Sequence, residues 1–289
     1  MLAASDGPIV IAGATGTLGR AITRALIAAG HSVVAVARAK SRARVEAGVS
    51  SVHELDLTTA SEGELRGAVR GARYVVSSLG ITRQRDGMTP RDVDFGVNAR
   101  LADACGAEGV TSFGYVSVAC DAPPGLSPLV DAKRALERHL AASELAWTVW
   151  RPSGFMTDFK EILDAARSGT VYLFGDGGAK TTPVDVDDLA SAIAARLDRP
   201  REILSIGGPE TMTWNDVATV AFAALGAPPK VRHAPMGVVR AALAAMRVVS
   251  SAAHVQWSFL STAATHSTEA ERVGGRTLAS FFAETARSS

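Results

Sequence analysis

Residues 9–19 read Ile9-Val10-Ile11-Ala12-Gly13-Ala14-Thr15-Gly16-Thr17-Leu18-Gly19: four small or branched apolar residues, then three glycines at intervals of three. An apolar run that short, closed by glycine, predicts a buried strand. The amphipathic stretch after it, Thr17–Ala29, predicts a helix that stops at Gly30. A glycine-rich turn between a strand and a helix has a direct chemical use. The backbone turns tightly and approaches a pyrophosphate closely, and the phosphates meet free amides and the positive end of the helix dipole. Gly13, Thr15, Gly16, Thr17, Leu18 and Gly19 are therefore candidate cofactor contacts. The spacing is GxxGxxG rather than GxGxxG, so the surrounding strand and helix carry the assignment.

Outward from this loop, short apolar runs alternate with helical segments. Further strands are expected at Ser32–Ala37, Ser51–Leu55, Tyr74–Leu79, Ser112–Ser117 and Trp147–Arg151, and helices at Val93–Ala107 and Asp131–Ser143. Such alternation predicts an α/β fold with a doubly wound parallel Rossmann sheet, its strands covered on both faces. After Arg151-Pro152 the pattern becomes turn-rich, and Val184-Asp185-Val186 and Ile203–Ile206 are expected to return to the sheet. The expected division is residues 1–152 plus about 183–206 for the dinucleotide, and about 153–182 plus 207–289 for a smaller, mainly helical substrate cap.

The end of the second strand selects the dinucleotide. NAD sites place an acid about twenty positions after the glycines to hold the ribose hydroxyls. Here the strand ends Val36-Ala37-Arg38, and the planar guanidinium of Arg38 suits a 2′-phosphate, which predicts NADP(H). Arg38, Lys40, Arg42 and Arg44 form the one basic cluster. With a net charge of +1 and no basic stripe interleaved with aromatics, nucleic-acid binding is not expected.

Cys105 and Cys120 show no CxxC spacing and no paired histidines, so neither a disulfide framework nor a metal site is expected. Asp185, Asp187 and Asp188 read as helix N-capping before Leu189. No signal peptide is evident, which points to the cytoplasm. The apolar stretch Met236–Val255 is broken by Arg240, Arg247, Ser250, Ser251 and His254. It reads as a buried or lid-forming helix in preference to a membrane contact.

Several motifs together resemble the short-chain dehydrogenase/reductase superfamily, in its atypical branch near the NmrA-like and isoflavone-reductase-like proteins. Gly13–Gly19 looks like that family's loop and Asp56-Leu57 like its adenine-contacting pair. Ser77-Ser78-Leu79-Gly80 sits where the fourth strand meets the ribose, with Asn98 on the following helix. Tyr115-Val116-Ser117-Val118 matches the fifth strand, and Arg151-Pro152-Ser153-Gly154-Phe155 resembles the RPxxF run beside the nicotinamide. The resemblance implies cofactor contacts from Asp56, Leu57, Ser78, Leu79, Gly80, Ser117, Val118, Pro152, Ser153 and Phe155.

It also implies a Tyr-x-x-x-Lys pair on one helix, the tyrosine protonating a developing alkoxide and the lysine anchoring the nicotinamide ribose. Lys133 occupies the lysine position, but Leu129 stands four residues earlier, and the serine position corresponds to Ala119. Lys133 alternatively pairs with Glu137 one turn on. Substitute proton donors are the substrate itself, Lys133 or a water, or the cap residues Tyr172, His254 and His266. Tyr172 reads as a core residue and the two histidines as surface or packing residues. Cys120 follows the fifth strand with nothing nearby to activate it. The apolar cap residues Met156, Phe159, Phe174, Met246, Trp257, Phe259, Phe281 and Phe282 suggest a bulky apolar acceptor.

The expected function is NADPH-dependent reduction of a ketone or quinone, resembling tyrosine-free ketoreductases of aromatic, angucyclinone-type polyketide tailoring. The alternatives are a double-bond reductase and a non-catalytic NADP(H) sensor. The expected partner is a small aromatic or ketone substrate, and a monomer is favoured.

Overall fold

The computed structural model describes residues 7–81, 87–197, 199–268 and 270–287. The first half alternates as expected: β1 (Ile9–Ala12), α1 (Thr17–Ala28), β2 (Val33–Ala37), β3 (Ser51–Glu54), α2 (Glu62–Val69), β4 (Tyr74–Ser77), α3 (Asn98–Ala107), β5 (Ser112–Val116), α4 (Pro128–Ala142) and β6 (Trp147–Pro152). A 3-10 turn at Ala39–Arg44 follows β2, and a π-helical turn at Arg91–Val97 leads into α3. The second half adds α5 (Lys160–Arg167), β7 (Val171–Phe174), β8 (Lys180–Thr181), α6 (Val186–Ala194), β9 (Glu202–Gly207), β10 (Met212–Thr213) and α7 (Trp214–Ala224). It closes with β11 (Val231–Ala234), α8 (Met236–Val249), α9 (Ser251–Thr265), β12 (Glu271–Arg272) and α10 (Leu278–Arg287).

Eight strands form one parallel sheet in the order β3-β2-β1-β4-β5-β6-β9-β12. The chain runs outward from β1 to β2 and β3, then restarts on the other side with β4. The order thus reverses between β1 and β4, and in open α/β sheets a ligand crevice lies at the carboxyl ends of the strands at such a switch point. Strand alternation splits the core. Ile9 and Ile11 join Ile22, Leu26, Leu189 and Ile193 beneath α1 and α6, whereas Val10 and Ala12 join Leu65, Leu101, Leu136 and Leu140 beneath α2, α3 and α4. β3 departs from the expectation of strands covered on both faces: Ser51, His53 and Glu54 at this sheet edge are exposed.

Two expectations fail here. Ile203–Ile206 does enter the sheet within β9, but Val184-Asp185-Val186 does not. Val184 makes an isolated bridge to Phe155, and the Asp185 carboxylate accepts the Asp187 amide at 2.8 Å, which starts α6 instead of a strand. That bond bears out the capping role for Asp185; Asp187 and Asp188 lie in the first turn of α6, where they meet Arg24 and the Gly275 amide. The second is Met236–Val255. It is two helices, α8 and α9, and α8 is not buried: Val239 is its only buried residue. Among the described residues no helix is long and apolar enough to cross a membrane. β12, from the far end of the chain, pairs with β9 and so belongs to the main sheet. A third apolar core, built from Met156, Phe159, Leu163, Phe222, Leu278 and Phe282, holds α5, α7 and α10 together.

Candidate functional site

The three glycines after β1 have separable reasons to be glycine. Gly13 has φ +85°, and a side chain there would meet Ser78 Oγ at 2.8 Å. A Cβ on Gly19 would collide with the Gly13 carbonyl, so the helix packs on the loop only without one. Gly16 is different. Its backbone is extended, at φ −78°, and a Cβ would touch nothing closer than the Gly13 oxygen at 3.4 Å. The fold itself has room for a side chain at Gly16, so its absence serves something that approaches from outside. Gly16 is also the N-cap of α1, with no side-chain cap and no acid in the first turn. The first-turn amides therefore have no intrahelical acceptor and face an uncluttered, electropositive space. A pyrophosphate fits these features.

Beside this cradle, Arg38 ends the extended segment after β2, exposed and without a salt bridge among the described residues. Arg42, by contrast, is engaged by Glu54 at 2.6 Å. Asp56 lies across the same edge. Burial opposes its ionisation, but the Thr58 hydroxyl at 2.7 Å, the Thr58 amide at 3.1 Å, and the charges of Arg38 and Lys40 hold it below the usual aspartate range. Leu57 is buried in the core and Leu79 packs half-buried against it. Ser78 Oγ donates to the Ala12 carbonyl at 3.3 Å, tying the end of β4 to the start of the loop.

The third component is carried by α4. Ser127 caps it by accepting the Val130 amide, and Pro128 opens the first turn. Leu129 is buried, so no proton donor occupies the position four residues before Lys133. Lys133 does not pair with Glu137. Its Nζ lies 3.1 Å from Asp94 Oδ1, 3.3 Å from Tyr115 Oη and 3.2 Å from the Val116 carbonyl. Full burial works against the charge, but Tyr115 and Asp94 outweigh it and hold the lysine above its ordinary range. Gly80 roofs this group: a Cβ there would sit 2.7 Å from Asp94 Oδ1 and 3.3 Å from Lys133 Nζ. Asp94 and Tyr115 were not anticipated as site residues. The available signal was Asp94 and Asn98, two polar residues one helical turn apart on a stripe continued by Leu101. Asn98 is buried too, donating to the Val93 carbonyl at 2.9 Å and receiving the Ser77 hydroxyl at 2.5 Å, which locks the π-helical turn to the end of β4.

A glycine turn, an exposed arginine after the second strand and a buried lysine under the fourth strand's loop all lie at the carboxyl ends of the strands. Residues 13–200 match the family model described as NAD(P)H-binding. The chain belongs to that family. It is 30% identical over 264 residues to the chloroplastic divinyl chlorophyllide a 8-vinyl-reductase of Oryza sativa subsp. indica, covering 84% of this chain and 64% of the relative. The chain thus spans somewhat under two thirds of the length of that reductase. It is 26% identical to the NAD(P)H azoreductase of Xenophilus azovorans, covering 76% of this chain and 74% of that one. In fold it is similar to the NADPH-dependent quinone oxidoreductase of Escherichia coli, with TM-score 0.73, 20% identity, and coverage of 96% and 99% of the two chains.

Other anticipated residues of this NAD(P)H-binding chain are placed as follows. Ser117 Oγ donates to the buried Glu137, which also holds Arg134 at 2.9 Å and Arg151. Ser153 Oγ is engaged by Thr182, Pro152 is buried at the end of β6, and Phe155 packs half-buried beside Val184. Val118 is half-buried, and Ala119 is buried with its amide on the Pro152 carbonyl. These groups cluster at the carboxyl ends of β5 and β6, but the hydroxyls of Ser117 and Ser153 are already used by protein partners.

Tyr172 is 67% exposed and not a core residue, because it points away from the cap interior on a strand whose neighbours Val171 and Leu173 point in. His266 is half-buried, its Nδ1 3.0 Å from the Thr262 carbonyl, and His254 is half-buried. Met156, Phe159 and Phe282, expected to line an acceptor site, are instead the cap's own core. A surface cleft of 610 Å³ between Gly175–Ala179, Met236 and Thr265 lies within the cap. Burial pushes the Cys120 thiol up, as it does Cys105, and neither is an activated nucleophile. Among the described residues no three His, Cys, Asp or Glu side chains are grouped to hold a metal ion.

Proposed function

We propose that this chain is an NADPH-dependent reductase whose acceptor is a bulky, apolar, conjugated carbonyl, a quinone or ketone of the aromatic polyketide kind. Residues 1–152 with about 183–206, joined in the sheet by β12, hold the cofactor, and the rest of 153–182 and 207–289 caps the acceptor. What supports the reading is the glycine turn before α1, with room at Gly16 for an approaching phosphate, combined with a buried Leu129 at the acid position. Gly13–Gly19 cradle the pyrophosphate, Arg38 takes the 2′-phosphate, Asp56 and Leu57 border the adenine, and Lys133 lies beneath Gly80 toward the ribose. NADPH, when bound, supplies the hydride.

The protein's own part is to hold the acceptor and exclude water, since it lacks the tyrosine that protonates an isolated alkoxide. Losing such an acid costs about 3–5 kcal/mol, a factor of 10² to 10⁴. An acceptor whose reduced form spreads its charge through an aromatic system is far less basic than an alkoxide and needs no acid in the site. A phenol hydrogen-bonded to the carbonyl serves equally well, as a proton source the substrate brings itself. Reduction of a conjugated double bond is the second reading, favoured by the same missing acid and by the similarity to a vinyl reductase.

The test is loss of NADPH absorbance against hydroxylated quinones, isolated ketones and vinyl-conjugated rings. Turnover of the conjugated acceptors and not of isolated ketones is expected; tight NADPH binding with no turnover would make the chain a sensor. Arg38→Asp should raise the KM for NADPH at least about tenfold with little change for NADH, as loss of a bidentate phosphate contact requires. Equal effects on both would remove Arg38 from the 2′-phosphate site.

A further inference from the structure

Helix α8 is apolar on both of its faces. Met236, Val239, Leu243 and Met246 recur at helical spacing and are buried or half-buried on the inward side. The outward side is no more polar: Val238, Ala241, Ala242, Ala245, Val248 and Val249 are all exposed, Val248 by 88% and Val249 by 85%. A helix that exposes as apolar a stripe as the one it buries belongs against another apolar phase. α8 packs chiefly on α9 and leaves its outer face to solvent.

Charge says what covers that face. Between Asp216 and Glu269 the sequence contains no acid, whereas Lys230, Arg232, Arg240 and Arg247 are all present and exposed. Arg240 and Arg247 are seven residues apart and so share one flank of α8, at the border between its exposed arc and the inward residues Met236 and Leu243, about a quarter turn from Val248. Neither forms a salt bridge among the described residues. A second copy of this chain fits poorly, because a twofold contact through α8 would set these cations against their own equivalents, and neither α8 nor α9 carries an acid to receive them. An anionic lipid surface satisfies both features, its headgroups meeting the arginines and its acyl boundary meeting the valines. At 14 residues α8 is too short to cross a bilayer, so it would lie in the interface plane.

We propose that the exposed arc of α8, centred on Val248 and bordered by Arg240 and Arg247, docks this chain on anionic membrane surfaces. Valine and alanine bury little area, so the attraction of the cations decides the affinity, and the contact is weak and salt-sensitive. If the proposed activity holds, docking brings the site to acceptors dissolved in lipid; the assay below needs no turnover and is independent of that reading.

The experiment is flotation of the full chain with phosphatidylcholine vesicles, with and without phosphatidylglycerol. Binding to the anionic vesicles at least about tenfold stronger than to the neutral ones is expected, falling as salt is raised. The double variant Arg240→Glu/Arg247→Glu should lower partitioning at least about tenfold. Val248→Asp/Val249→Asp should lower it as well. NADPH affinity and the circular dichroism spectrum should be unchanged in both, which separates lost docking from lost folding. No partitioning into anionic vesicles, or partitioning that neither variant alters, overturns the proposal. So does light scattering that finds a dimer which the valine variant dissociates, since a second copy would then cover the face.

Discussion

Lys133 has only 11% of its side chain exposed, and the Asp94 carboxylate beside it has none. A lone ammonium at that depth is strongly disfavoured, so the pair stands or falls together. Asp94→Asn preserves shape but removes the counter-charge, leaving Lys133 with a hydroxyl and a carbonyl for company. The expected loss is about 3–5 kcal/mol, the usual penalty for stranding one partner of a buried pair. Lys133→Met strands Asp94 in turn. The double variant Asp94→Asn/Lys133→Met should lose less than the sum of the two by at least about 1 kcal/mol, because neither stranded charge remains. Denaturant midpoints for the four proteins measure this, and strictly additive losses would show that the two groups do not interact. Lys133 was legible because its spacing from Leu129 lies within one helix. Asp94 and Tyr115 were not, because their meeting with Lys133 is made by the packing of the π-helical turn, β5 and α4, which no local spacing encodes.

At the scale of the element, local chemistry sets boundaries. Helix α7 begins with a reciprocal cap: the Thr213 hydroxyl accepts the Asp216 amide at 3.1 Å, and the Asp216 carboxylate accepts the Thr213 amide at 2.9 Å and its hydroxyl at 2.7 Å. The Thr213 hydroxyl and amide hold the Asp216 carboxyl below its ordinary range, with burial opposing. A lowered carboxyl pKa means the cap is at full strength above the usual aspartate range and weakens as pH falls through the lowered value. Thr213→Ala should therefore destabilise by about 1 kcal/mol at neutral pH, and the difference from the parent should narrow as acid protonates the Asp216 carboxyl, leaving the share of the hydroxyl that accepts the Asp216 amide. Thermal melts across pH check it, and a difference that persisted undiminished in acid would assign the loss to packing. Seven of the eight strands of the main sheet were legible to within two residues, most of them because covered parallel strands are continuous apolar runs, whereas β12, the charged pair Glu271–Arg272, carries no such signal. Val184–Val186 was misread because its apolar residues are equally good helix openers once Asp185 supplies a cap. The exposure of α8 was illegible for a related reason: apolar content shows that a helix seeks cover, not what covers it.

Across the whole molecule the chain passes repeatedly between its two halves. It leaves the main sheet after β6, builds β7 and β8, returns as α6 and β9, leaves again for β10 through α9, and returns as β12. Long-range ion pairs fasten the crossings: Arg24 with Asp187, Arg276 with Asp185, and Arg196 with Glu271. Each is exposed or partly so and individually weak, but each ties a segment that has returned from the cap to another part of the molecule. No single cut separates the cofactor crevice from the cap core of Phe159, Phe222 and Phe282, so the molecule should unfold in one transition. A ligand that binds only the folded crevice then stabilises all of it. At a hundred times its dissociation constant NADPH adds about 2.7 kcal/mol, which raises a melting point by roughly 4–5 °C for a chain of this size. Gly16→Ser supplies the control. The fold has room for the side chain and serine is a good N-cap, so the unliganded melting point should hold or rise while the shift with NADPH disappears. Two separate transitions, with NADPH moving only one, would mean that the crossings do not couple the halves; an undiminished shift in Gly16→Ser would place the phosphates somewhere other than the start of α1.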